Sequence, residues 1–269
     1  MFSSVYHFIL AGFLVYLLLV SGLYLGQRSL LYFPLKDLSE NNSEQFSFYQ
    51  EVKIKTKDGL DLYSFFSTKL QNKDKCILIF SGNAGHASQR FEKFNFLKEA
   101  GYRLFFLEYR GYGNNVGKPS EKGFYQDAHA AINFLYEQGF TDRDIVLYGE
   151  SLGAAVAIES SLNHNFHALV LEAPFMSIFK VARDKYKFFV PFEFFVKDKY
   201  KSYTKINSIV SPILIMHGTK DEVVDFSHGE SLFNLASEPK QKIFITGASH
   251  NNLYDFDIEK EVTTFLENN

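Results

Sequence analysis

Residues Asp144 to Ile158, DIVLYGESLGAAVAI, constrain this chain more than any other stretch. Ile145 to Tyr148 is short, apolar and partly β-branched, as a buried strand is, and Leu152 to Ile158 is small and apolar, as a buried helix is. Between them Gly149, Ser151 and Gly153 spell G-x-S-x-G. A strand that turns sharply into a helix at this spacing holds its serine in a strained backbone conformation with the hydroxyl exposed, and the flanking glycines let strand and helix approach closely. A helix beginning at Leu152 also points its free N–H groups at the space where an oxyanion would form. Five residues can match by chance, so the pattern gains weight from the strand before it, the helix after it, and partners for Ser151 in the right order.

The rest of the chain reads as alternating strands and helices. Phe48 to Thr56 and Leu60 to Ser67 alternate apolar and polar about Lys57-Asp58-Gly59, a hairpin signal. Cys76 to Phe80 is a continuous apolar run, followed by the loop Ser81-Gly82-Asn83-Ala84-Gly85-His86 and a helical pattern through Phe91, Phe94, Phe96 and Leu97. Arg103 to Tyr109 gives a strand and Ser120 to Tyr136 a helix. Ala168 to Leu171, Pro212 to Met216 and Lys242 to Ile245 are further strands, and Ile258 to Leu266 closes the chain as a helix. This order predicts a mostly parallel, doubly wound α/β sheet. The glycines at 111, 113 and 117 do not form a dinucleotide fingerprint, and Gly218-Thr219-Lys220 lacks the earlier glycine of a phosphate loop.

In open α/β sheets the reactive groups gather beyond the carboxyl ends of strands. Asp221 lies just past the Pro212 to Met216 strand, and His250 just past Lys242 to Ile245. The order Ser, Asp, His assigns Ser151 as nucleophile, His250 as its base and Asp221 as the group that fixes the imidazole tautomer. Glu222 and Asp225 are close enough in sequence to replace Asp221. Of the eight histidines, His86 and His217 also end strands, with His217 expected to stabilise its loop, while His129, His164, His167 and His228 read as surface or helix residues. No pair has metal-ligand spacing with a carboxylate, so neither a metal nor a cofactor is expected. The oxyanion hole needs the Leu152 amide and a second donor, for which Asn83 is best placed, with Gly82 and Gly85 allowing close approach.

From Phe8 to Gly26 the sequence is apolar and uncharged, approaching the length that spans a bilayer. It lacks the basic n-region and short core of a cleaved signal, so an uncleaved anchor is expected, with a buried core helix as the alternative. Arg28 and Lys36 follow it and no Lys or Arg precedes it, which places the remaining domain on the cytoplasmic side. The expected division is a tail at 1–7, an anchor at 8–26, a linker at 27–47 and the catalytic domain at 48–269. A net charge of -3 offers no footprint for nucleic acid, and a lone cysteine, Cys76, excludes an intramolecular disulfide.

Residues 175–211 have the place and composition of a lid, with Phe175, Phe179, Phe188 and Phe192 among many lysines. Such a segment suits an acyl-chain pocket or the surface of an anionic bilayer; the plainer reading is a cap whose rings pack on the core.

The stretches SGNAGH, EYRGYGNNVGKPSEKGFYQDA, YGESLGAAVA, APF, ILIMHGTKDEVV and GASHNNL resemble the membrane-anchored α/β-hydrolase-domain serine hydrolases, a group that includes bud-emergence-type proteins and protein depalmitoylases. Leu31-Tyr32-Phe33-Pro34 after an apolar segment is similar too. The resemblance covers Phe48 to the C-terminus and implies an α/β-hydrolase fold, Ser151, Asp221 and His250 as the triad, and the Asn83 and Leu152 amides as the oxyanion hole. The chain departs from the family at Ser81, where histidine is usual, and at Glu108, where aspartate is usual. The expected activity is cleavage of a carboxylic ester or thioester through an acyl-enzyme on Ser151, the substrate being an acyl-containing small molecule, a lipid or an acyl-protein. A serine exopeptidase and a non-catalytic membrane-tethered scaffold are the alternatives.

Overall fold

The strands Cys76–Phe80, Ile145–Glu150, Ala168–Glu172 and Ile213–Gly218 are apolar runs rather than alternating ones because both of their faces are covered: every residue in them is buried. The computed structural model describes residues 2–36, 47–68, 75–186 and 193–269. Its main sheet has eight strands, in the order Lys240–Ile245, Ile213–Gly218, Ala168–Glu172, Ile145–Glu150, Cys76–Phe80, Arg103–Leu107, Asp61–Ser67 and Tyr49–Lys55. Asp61–Ser67 runs against both of its neighbours, and every other pairing is parallel. The hairpin about Lys57-Asp58-Gly59 supplies the antiparallel end, in a register that sets Lys55 opposite Asp61.

Period-two alternation divides the core into two layers. Leu78 and Phe80 point to one face, where helices Glu121–Glu137 and Leu152–Ser160 pack; Ile77 and Ile79 point to the other, which the C-terminal helix Glu259–Asn268 covers with Val262, Phe265 and Leu266. Ser120 starts Glu121–Glu137 by accepting a hydrogen bond from the Gly123 amide at 3.1 Å. The helical pattern through Phe91 to Leu97 resolves into a 3-10 turn at Ala87–Arg90, capped by His86, and a short helix at Asn95–Glu99, because Phe91 and Phe94 both turn into the core.

The N-terminal helix differs from expectation in its extent. It runs from Phe2 to Leu31, and Val5–Leu31 has a mean hydropathy of 2.4 with none of its most apolar window buried. Within this chain the helix is therefore not packed as a core helix, and its length and composition are those of a membrane span. Residues 27–31, expected in the linker, are helical, and Phe33–Pro34 forms a two-stranded parallel pair with Ala84–Gly85. Residues 37–46 of the expected linker lie outside the described residues.

Candidate active site

Ser151 occupies the corner between strand Ile145–Glu150 and helix Leu152–Ser160 with φ 51° and ψ −108°. A non-glycine residue held there costs about 1–3 kcal/mol and persists only where its surroundings impose it. Here the glycines do so. A Cβ on Gly149 would come within 2.5 Å of the Ala154 Cα, and one on Gly153 within 2.0 Å of the Phe80 carbonyl oxygen. The Ser151 N–H donates to the Glu172 carbonyl at 2.8 Å, pinning the turn to the neighbouring strand. Serine at a helix N-cap ordinarily accepts a bond from the first turn; this one makes no side-chain cap.

Asp221 follows strand Ile213–Gly218 and His250 follows Lys240–Ile245; these strands are adjacent and parallel, which brings the two side chains together. His250 Nδ1 is 2.7 Å from Asp221 Oδ2. A carboxylate can only accept, so Nδ1 carries the proton and Nε2 is left as the basic nitrogen. Asp221 Oδ1 accepts from the amides of Val223 and Val224, each at 2.8 Å. His217 Nε2 lies 3.2 Å from Oδ2 and 3.0 Å from the Val224 carbonyl, both acceptors, so this nitrogen is protonated too. Burial alone would push the Asp221 pKa up; the hydrogen bonds from His217 and His250 and the neighbouring amides outweigh it and hold the carboxyl well below its ordinary value. Of the other acids considered, Asp225 caps helix Phe226–Leu235 through the Ser227 amide and Glu222 is exposed.

Ser151 and His250 line one cavity of about 460 Å³, together with Gly82 and Asn83 of the loop after Cys76–Phe80. A separate cavity of about 530 Å³ beside Phe48, Tyr49 and Lys98 contains none of these groups. Ser81, at the family's usual histidine position, has a buried hydroxyl without a partner. The loop is held from elsewhere: the Asn83 side-chain amide donates to the Leu31 carbonyl at 2.8 Å, and the Asn83 carbonyl accepts from the Tyr112 hydroxyl at 2.6 Å and the Phe33 amide at 2.9 Å.

Sequence reasoning missed the charges in this cavity. Lys93 bridges Glu150 and both oxygens of Glu172, the latter at 2.7 Å, while Arg90 Nε donates to Glu150 at 2.9 Å. Burial would lower the Lys93 pKa, but the two carboxylates raise it, and Glu150 is held low in turn by Lys93 and Arg90. The cluster is thus two cations matched to two anions, attached to the residue before Ser151 and to the residue whose carbonyl holds it. The Glu150 position beside the serine was the one available signal; nothing in the spacing of Arg90 and Lys93 singled them out.

Other expectations need correction. Phe175, expected in substrate binding, is a core residue packed near Tyr200, and Phe179 lies half-buried on helix Ile178–Lys185 with the Arg183 guanidinium over its ring; neither lines the Ser151 cavity. Phe188 and Phe192 lie outside the described residues. His167, read as a surface or helix residue, is buried outside any helix and meets the Leu266 carbonyl; His228 lies on helix Phe226–Leu235, within that expectation, but is buried and joins the lid to the core by bonding Asp184 at 2.8 Å and the Met176 amide at 3.1 Å. Among the described residues no group of three His, Cys, Asp or Glu side chains is arranged to hold a metal.

Residues 71–199 match the serine aminopeptidase S33 family. An uncharacterised protein of Mycobacterium tuberculosis is 35% identical over 227 residues, 84% of this chain and 80% of that protein. Alpha/beta hydrolase domain-containing protein 17B of Homo sapiens is 30% identical over 223 residues, 80% of this chain and 76% of the relative. Among solved structures, the Pyrococcus furiosus esterase Pf2001 superposes with a TM-score of 0.71 at 21% identity, covering 88% of this chain and 98% of its own, a likeness of fold. A strained serine elbow on a sheet of this order, in a chain with these relatives, places the protein in the family of α/β-hydrolase-domain serine hydrolases.

Proposed function

We propose that the chain is a membrane-anchored serine hydrolase that cleaves carboxylic ester or thioester bonds of acyl or lipid-like substrates through an acyl-enzyme on Ser151. The observation that carries this reading is the Asp221–His250 bond of 2.7 Å, which leaves a basic Nε2 on a ring that shares its cavity with the uncapped Ser151. In the proposed reaction His250 Nε2 takes the Ser151 proton as Oγ bonds to the acyl carbon. The tetrahedral oxyanion is met by the Leu152 amide, first in its helix, and by the Asn83 amide. The imidazolium, stabilised by ionised Asp221, returns its proton to the departing alcohol or thiol as the C–O or C–S bond breaks. Water then repeats the sequence on the acyl-enzyme and frees the acid.

An exopeptidase is the competing reading, and the matched family's description favours it. A peptidase of that kind needs an unmatched charge to hold a substrate terminus. The charges beside Ser151 are already paired, Glu150 and Glu172 with Arg90 and Lys93, which favours ester or thioester cleavage. Labelling by a fluorophosphonate probe tests the reaction class, using the detergent-solubilised full chain beside Ser151→Ala and His250→Ala. Labelling of wild type alone is the expected result, followed by turnover of p-nitrophenyl esters and acyl thioesters. Folded wild type that resists the probe would sink the reading in favour of the scaffold, and turnover confined to aminoacyl amides would favour the exopeptidase.

A further inference from the structure

The segment that joins the apolar helix to the domain has no role in the reaction as proposed above, yet it is built into the loop beside Ser151. Phe33 and Pro34 pair in parallel with Ala84 and Gly85. The Phe33 amide donates to the Asn83 carbonyl at 2.9 Å, the Leu35 amide to the Gly85 carbonyl at 3.2 Å, and the Leu31 carbonyl accepts the Asn83 side chain at 2.8 Å. The Leu35 carbonyl in turn accepts the Gly113 amide at 2.9 Å, so the strap is tied down beyond the loop as well. On its other side the helix end grips the lid: Arg28 makes two bonds to Asp198, at 2.7 and 3.0 Å, and the Tyr32 and Tyr200 hydroxyls meet at 2.9 Å.

Meanwhile the loop's own support is missing where it would be expected. Ser81 lies at its start and its buried hydroxyl has no partner. A glycine-flanked loop with a backbone donor to aim needs constraints from outside itself. Bonds to the carbonyl and the side chain of Asn83 hold that residue from two directions; its N–H belongs to the preceding Gly82–Asn83 peptide, so they constrain that donor through the Asn83 Cα. Oxyanion donors act through placement made before the reaction, and a misplaced donor loses most of its value.

We propose that Leu31–Leu35 is a positioning element for the oxyanion loop, so that the N-terminal helix and its strap form part of the catalytic unit as well as a tether. The inference rests on the hydrolase reading and deepens it. Its test uses the full-length protein in detergent micelles, with kcat and KM for a short-chain p-nitrophenyl ester and the rate of fluorophosphonate labelling measured together. Asn83→Ala removes the bond to Leu31 and keeps the backbone amide. Phe33→Pro removes the amide that bonds to the Asn83 carbonyl, and Phe33→Ala keeps it; the Phe33 side chain is 51% exposed, so its loss opens no core. Asn83→Ala and Phe33→Pro are expected to lower kcat and labelling rate about 10- to 100-fold with KM within about threefold, Phe33→Ala matching wild type.

Wild-type rates in Asn83→Ala and Phe33→Pro overturn the inference, as does an equal fall in Phe33→Ala, or a rise in KM with kcat unchanged. Should Phe33→Pro fail to melt cooperatively, Asn83→Ala decides alone by the same readouts. A wild-type protein that neither labels nor turns over the ester defeats the hydrolase reading itself, which separates that failure from one confined to the variants.

Discussion

Asp221 receives donors on both carboxylate oxygens: two backbone amides on Oδ1, and His217 and His250 on Oδ2. An asparagine there must turn its NH₂ toward one of these donor pairs, so it cannot replace the carboxylate without losing bonds or reversing the His250 tautomer. Asp221→Asn is therefore expected to lower ester turnover about 10³- to 10⁴-fold while far-ultraviolet circular dichroism stays native. Glu108 carries a different prediction. Burial pushes its pKa up to about 8, against 4.5 for a free side chain, and the Ala87 amide bonds to it at 2.8 Å. Between those values the native state keeps a proton that the unfolded chain has lost, so this group's contribution is full below about pH 4.5 and is lost as pH rises through 8. Melting temperature against pH should show a fall across that window that Glu108→Gln flattens; an unchanged slope would contradict it. At this scale the sequence marked Ser151, Asp221 and His250 because strand ends and chain order are written locally. It did not mark Lys93, whose meaning depends on two glutamates 57 and 79 residues away.

The elements were legible to the degree that one physical signal dominated each. Strands buried on both faces announced themselves as apolar runs, and Glu121–Glu137 by its serine cap and its periodicity. The elbow was legible because glycine is required twice over. Gly153→Ala puts a methyl group where the Phe80 carbonyl oxygen lies, so helix Leu152–Ser160 must shift away from the strand that carries the oxyanion loop. The expected cost is about 1–3 kcal/mol of stability, as for other overpacked sites, together with loss of probe labelling. Chemical denaturation and labelling on the same preparation check both, and an active variant of unchanged stability would show that the close contact is dispensable. The lid was less legible because aromatic and basic composition does not distinguish rings that face a substrate from rings that face the core. Phe175 proves to be of the second kind. The strap at Phe33–Pro34 was hidden for another reason: a two-residue strand carries no periodicity, and its partner lies about fifty residues on.

The whole molecule has one long exposed apolar helix fixed to a globular domain, and the geometry of that junction bears on how it would meet a bilayer. Thirty residues of α-helix extend about 45 Å, against a hydrocarbon layer of about 30 Å, so a helix that spans it upright leaves roughly a third of its length outside the apolar region. The domain end supplies part of that third: Gln27 bonds to the Phe195 carbonyl and the Lys197 amide, and Arg28 to Asp198. Lys197 stands 4.4 Å from the Tyr24 ring, and Phe194 nearby is 70% exposed, which suits a headgroup level near Tyr24 with the lid beside the membrane surface. Arg28 and Lys36 lie on the domain side of the helix, so the positive-inside rule predicts a cytoplasmic domain. Expressed in bacteria with a C-terminal tag, the full chain is expected to remain in the membrane pellet after alkaline carbonate extraction. Protease should remove the tag from inverted vesicles and spare it in intact spheroplasts. Release by carbonate would show that the helix lies on the membrane or is covered by protein, and digestion in intact spheroplasts would reverse the orientation. The site would then face the opposite side of the membrane, because the short junction keeps the domain against the leaflet from which the helix emerges.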